Sequence, residues 1–130
     1  MSRDNPIILV LDDQPLISLE LEQLINDARI GQTVSITSCG PACEWLQANT
    51  PEAAILDIGL YGGDSRAVAE ILVERGVPFV VHTARDRDSL SISTYRVYER
   101  GIWVAKPSAP DEVVAAILRA LAAARQREPN

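Results

Sequence analysis

Several groups that would announce a common function are scarce in this sequence. The longest apolar stretch, Pro6 to Leu11, falls far short of the ~20 residues that a membrane-spanning helix needs. The N-terminal segment Met1-Ser2-Arg3-Asp4-Asn5 has no basic region leading into a hydrophobic one, so no export signal is read. There are only two cysteines, Cys39 and Cys43, and their four-residue helical spacing reads as a pair of reduced thiols in a reducing, cytoplasmic compartment. The single histidine, His82, cannot complete a four-ligand zinc site with those thiols. Lying inside an apolar strand, it reads as a packed, hydrogen-bonded side chain. Positive charge is also in deficit, with a formal net charge of −6, so no nucleic-acid footprint is present. The charge is uneven: residues 1–84 carry 12 acids and 4 bases, while residues 85–130 carry 6 acids and 8 bases. The last third therefore offers a mildly cationic face to an acidic partner. With 7 glycines, 8 prolines and no periodic repeat, collagen-like, solenoid and disordered architectures are excluded.

What is present is 130 residues, 47% of them hydrophobic, the size of one globular domain. The expectation is a single domain over 1–130 with its core over about 6–124, and a monomer or weak homodimer. The run Ile7-Ile8-Leu9-Val10-Leu11 is short, unbroken and rich in branched residues, as a parallel strand buried on both faces should be. After Pro15, Ile17, Leu21, Leu24, Ile25 and Ala28 recur at helical spacing, and Gly31 is read as the stop. The alternation continues with a strand over 33–37, a helix over 41–49, a strand over 53–57 and a glycine-bearing loop over 59–63. A helix over about 64–75 ends at Gly76, and a strand follows over 77–82. A polar helix over about 88–100 shows only Leu90, Tyr95, Val97 and Tyr98 as apolar anchors, which predicts weak packing. After a strand over 102–105, Ser108-Ala109-Pro110-Asp111 resembles a capping box opening a last helix that carries Val113, Val114, Ile117, Leu118 and Leu121. Five strand–helix units of this kind predict an α/β fold: a doubly wound five-stranded parallel sheet with helices on both faces.

In such sheets the working crevice lies at the carboxyl ends of the strands. Those ends read Asp12-Asp13, Asp57, Thr83 and Lys106-Pro107. Three carboxylates on neighbouring strand ends repel one another, which implies a bound cation, and oxygen-only ligands favour Mg²⁺ or Mn²⁺. Lys106 is the only lysine among 12 basic residues. An ammonium there suits a phosphoryl oxygen or a carboxylate better than a planar guanidinium would.

Asp12-Asp13, Asp57, Thr83-Ala84 and Lys106-Pro107, in this order on these strand ends, resemble the receiver domain of two-component response regulators, of the stand-alone chemotaxis-regulator type, over essentially the whole chain. The resemblance implies a flavodoxin-like fold without an output domain. It implies a regulator that assists only its own phosphorylation and dephosphorylation and is otherwise no enzyme. Asp57 would be the phosphoacceptor, supplied by a histidine kinase or a histidine phosphotransfer protein. Asp13 and Asp57 would hold Mg²⁺ through carboxylates, Gly59 through its carbonyl and Asp12 through water. Thr83 and Lys106 would hold phosphoryl oxygens, while Thr83 and Trp103 would form the switch. A downstream protein would dock on the surface of the fourth helix, fifth strand and fifth helix, where Arg85, Arg87, Arg96 and Arg100 gather.

The sequence departs from the family pattern in places. Tyr61 stands where a proline usually follows the phosphoacceptor, and Gly62-Gly63-Asp64-Ser65 is unusual, which predicts a more mobile loop. Ser108 replaces a common aromatic, and Trp103 replaces a tyrosine or phenylalanine. Two other readings stay open: a receiver-like binding module that signals without phosphorylation, and a Mg²⁺-dependent phosphohydrolase with an aspartate nucleophile. The second is disfavoured, because neither Asp57-Ile58-Gly59 nor Asp12-Asp13-Gln14 has the acid two residues on that would protonate a leaving group.

Overall fold

The computed structural model describes residues 5–60, 63–84 and 96–127. Five parallel strands form the main sheet: β1 (Ile7–Leu11), β2 (Gln32–Ile36), β3 (Ala53–Leu56), β6 (Phe79–Thr83) and β7 (Ile102–Ala105), in the order β2-β1-β3-β6-β7. Two short strands, β4 (Gly59–Leu60) and β5 (Gly63–Asp64), form a separate antiparallel ribbon after β3. The helices whose full extent lies among the described residues are α1 (Pro15–Asp27), α2 (Cys39–Ala48), α3 (Arg66–Arg75) and α4 (Pro110–Arg127), and residues 96–98 are also helical. This is the doubly wound, flavodoxin-like order, and the direction of winding reverses between β1 and β3.

Alternate residues of β1, β3 and β6 enter opposite cores, which is why residues 8–11, 53–56 and 79–81 read as continuous apolar runs, while β2 at the sheet edge stays partly exposed. Leu9, Leu11, Ala54, Leu56, Phe79 and Val81 pack with Ala42, Leu46, Val68, Ala69, Leu72 and Tyr98 on one face. Ile8, Val10, Ala53, Ile55, Val80 and Val104 pack with Leu21, Ile25, Val113, Ile117 and Leu121 on the other.

Three local expectations change. First, α1 is ended by a left-handed residue at Arg29 (φ 55°), where Ile30 N–H reaches back to the Ile25 carbonyl. Gly31 serves a different need, because a Cβ there would sit 2.3 Å from the Pro6 carbonyl oxygen. Gly76, by contrast, closes α3 as read, with φ 72° and its N–H on Leu72 and Val73. Second, the box that opens α4 is built one residue later than expected, since the Glu112 carboxylate accepts the Ala109 N–H at 3.0 Å while Ser108 turns to His82. Third, the weakly anchored segment before Gly101 contains one of the largest fully buried side chains, Tyr98. Leu90, Tyr95, Arg85, Arg87, Tyr61 and Gly62 lie outside the described residues. Gly63 pairs with Leu60 and Gly59 with Asp64, so the part of the loop described around Asp57 is paired backbone.

Candidate functional site

The strand register brings the candidate residues level. Leu11 pairs with Leu56, so Asp12 and Asp57 leave β1 and β3 side by side. Thr83 pairs with Ala105, so Lys106 leaves β7 where β6 ends. Backbone bonds hold the exits: Asp12 N–H donates to Ile36 O (3.3 Å), Asp57 N–H to Leu11 O (3.0 Å) and Lys106 N–H to Thr83 O (2.9 Å).

Lys106 ties the ends together. Its Nζ lies 2.8 Å from Asp12 Oδ2 and 2.8 Å from Asp57 Oδ2, and it donates a third bond to Gln14 Oε1 at 3.2 Å. The Asp12 side chain is 2% exposed and that of Asp57 is 13% exposed, so both charges are largely withdrawn from water. Asp12 Oδ1 accepts the Gln14 N–H at 2.9 Å, which fixes the carboxylate at the mouth of α1. Burial alone would push the Lys106 ammonium down, but hydrogen bonds to Asp12 and Asp57 outweigh it and raise the pKa above its usual 10.5. The ammonium therefore keeps its charge throughout the neutral range.

Asp13 is half-buried at the start of the β1–α1 turn, Gly59 is half-buried in β4, and Thr83 is buried at the end of β6. Of the residues expected from the sequence, Asp12, Asp57 and Lys106 are in direct contact. Among the described residues no three carboxylate, imidazole or thiol groups are gathered for a metal ion: the meeting point of Asp12 and Asp57 is the Lys106 ammonium. The donor chemistry still fits a hard divalent cation, because three carboxylates against one ammonium leave two negative charges in an all-oxygen set.

Other residues complete the surroundings. Ser65 is fully buried, and its hydroxyl lies 2.6 Å from the Asp57 carbonyl oxygen and 2.9 Å from the Tyr98 hydroxyl. Burial pushes the Tyr98 phenol up to about 12 against the opposing effect of its bond to Ser65, so it stays protonated. Trp103 is half-buried, and its indole N–H donates to the Tyr98 carbonyl at 3.0 Å. His82 is 6% exposed; its Nε2 meets the Ser108 hydroxyl at 3.3 Å and its Nδ1 is buried with no partner among the described residues. Burial, and then the nearby Lys106 charge, lower its pKa below 6.5. Cys39 and Cys43 are free thiols, and burial followed by the neighbouring Cys39 raises that of Cys43.

Sequence reasoning missed Gln14, Ser65 and Tyr98 as parts of this site. Only Ser65 carried a signal, as part of the unusual segment after Asp57.

Three comparisons bear on the arrangement. The family model of the response regulator receiver domain matches residues 8–118. SdrG from Sphingomonas melonis Fr1 is 32% identical, with 96% of this chain and 99% of that one covered at a TM-score of 0.71. The signal receiver domain of an HD domain-containing protein from Pseudomonas fluorescens Pf-5 is 19% identical, covering 98% and 97% of the two chains, with a TM-score of 0.80. The non-phosphorylated HemR receiver domain from Leptospira biflexa is 20% identical, covering 97% and 99%, with a TM-score of 0.76. No curated protein sequence matches. Among the described residues no helix is long and apolar enough to cross a membrane.

Proposed function

The chain belongs to the response regulator receiver domains, signalling phosphoacceptors of two-component systems, and from that premise we propose that Asp57 takes the phosphoryl group from a phosphohistidine on a kinase or phosphotransfer protein. The observation that carries the assignment is the double contact of Lys106 Nζ, 2.8 Å from the carboxylates of both Asp12 and Asp57. One Asp57 oxygen attacks phosphorus, the P–N bond breaks, and the imidazole departs with the electron pair, leaving an acyl phosphate. Such a transfer needs position and charge neutralisation more than acid–base chemistry.

Lys106 presents Asp57 and can follow an incoming phosphoryl oxygen, since an ammonium on a flexible stem donates in several directions. Thr83, at the neighbouring strand end, supplies a hydroxyl to a second oxygen. Asp12, Asp13, Asp57 and the Gly59 carbonyl are the residues that would hold Mg²⁺, whose role when bound is to neutralise phosphoryl charge. Output runs through the face of Trp103 and α4, beside the exposed Arg96 and Arg100, where an acidic partner is favoured by charge.

Acetyl phosphate should add one phosphoryl group, read by intact mass, in a Mg²⁺-dependent manner. The adduct should be absent in Asp57→Asn, and Asp13→Asn should require more Mg²⁺. Labelling at another residue in equal yield would sink the assignment.

A further inference from the structure

We propose that Ser65 and Tyr98 form a buried hydroxyl relay that positions Asp57 for phosphorylation and carries its state to Trp103. This deepens the phosphoacceptor reading and rests on it.

The geometry gives the relay a direction. Ser65 has one hydroxyl proton, and the 2.6 Å contact to the Asp57 carbonyl oxygen takes it. Tyr98, 2.9 Å away, must then donate its own proton to Ser65 Oγ. The phenol's high pKa keeps it a donor over the working range. The order is Tyr98 O–H to Ser65 O–H to Asp57 C=O. From the other side, the Tyr98 carbonyl accepts the Trp103 indole N–H at 3.0 Å, so two residues, Ser65 and Tyr98, join the backbone of Asp57 to the aromatic ring on β7.

Ser65 gives up something to do this. It stands at the N-cap of α3, where a serine hydroxyl ordinarily accepts a backbone N–H of the first turn, yet it makes no cap bond. Its N–H donates instead to the Ile58 carbonyl at 2.9 Å. Both hydrogen-bond donors of a fully buried serine are thus turned toward the residue pair Asp57-Ile58, while its carbonyl accepts the Ala69 N–H within α3. Fixing that carbonyl fixes the backbone from which the Asp57 carboxylate projects toward Lys106, and small misplacements of a nucleophile lower in-line transfer steeply. Tyr98 is 0% exposed, so when the Asp57 backbone moves, the phenol must move with it or leave a buried hydroxyl unpaired.

The test uses a Trp45→Phe background, in which Trp103 is the remaining tryptophan. Acetyl phosphate labelling of Asp57 is followed by intact mass over a range of donor concentrations, and Trp103 emission is recorded before and after. Tyr98→Phe keeps the ring and removes one hydroxyl. It should lower the maximal labelling rate by roughly fivefold, the factor one neutral hydrogen bond is worth, without moving the half-saturating donor concentration, and it should blunt the emission change. Ser65→Ala should do the same, and the double variant should be no worse than Ser65→Ala alone. Variants that melt earlier but keep the parental rate and emission change would make the pair structural only and overturn the relay. If the parent itself is not labelled at Asp57, the phosphoacceptor reading falls and the relay with it.

Discussion

Removing the Lys106 ammonium gives the sharpest test of how the site is held together. In Lys106→Met the stem is retained, while Asp12 Oδ2 and Asp57 Oδ2 each lose a charged donor at 2.8 Å. Breaking one partner from a buried ion pair costs about 3–5 kcal/mol. Here Asp57 is 13% exposed and Lys106 11%, so water reaches the gap and the ammonium's own desolvation is recovered. Both effects reduce the expected loss to about 2–3 kcal/mol. For a chain of this length that is a fall of roughly 6–12 °C in melting temperature, measured in a chelator by differential scanning fluorimetry and urea unfolding. The cost arises from orphaned buried carboxylates, which makes a second substitution decisive. Asp12→Asn placed on Lys106→Met should recover stability, because it removes the charge at the side chain that is only 2% exposed. Added Mg²⁺ should shrink the single variant's deficit. A Lys106→Met protein as stable as the parent, or a double variant less stable than the single, would refute the reasoning.

His82 has a lowered pKa, caused first by burial and then by Lys106, so it is held neutral in the fold and binds protons more readily when unfolded. Its contribution is present above pH 6.5 and is lost as pH falls from there through the lowered folded-state value; the fall in melting temperature between pH 7.5 and 5.5 should be smaller in His82→Asn, and equal slopes would refute this. Gly101→Ala would set a Cβ 2.7 Å from the buried Phe79 ring and 2.8 Å from Val81, an overpacking that should destabilise by about 1–3 kcal/mol in urea unfolding.

The parts legible in the sequence are those set by short-range pattern. Ile7 to Leu11 and Ala53 to Leu56 are buried on both faces, so their apolar runs announced strands, and the residues directly after them announced the site. Less legible was anything that depends on which groups topology brings together. Tyr98 looked like one anchor of a thin apolar stripe, because its partner Ser65 is 33 residues away in the chain. Ser108 fitted a capping pattern, but His82 on β6 draws its hydroxyl at 3.3 Å. Gly31 looked like a helix stop, whereas its bareness is required by Pro6, a neighbour only across the β1–β2 pairing.

The third bond of Lys106 has a consequence of its own. An ammonium carries three protons, and the described structure gives all three an acceptor: Asp12, Asp57 and Gln14. No proton is idle, so an arriving anion must evict one of the present holders. Gln14 is the one held least tightly, being uncharged, exposed and the most distant at 3.2 Å. It also stands at the N-cap of α1. If a phosphoryl group enters as proposed, its arrival is registered first as a vacancy at Gln14, beside the first turn of α1, on the opposite side of the sheet from Tyr98.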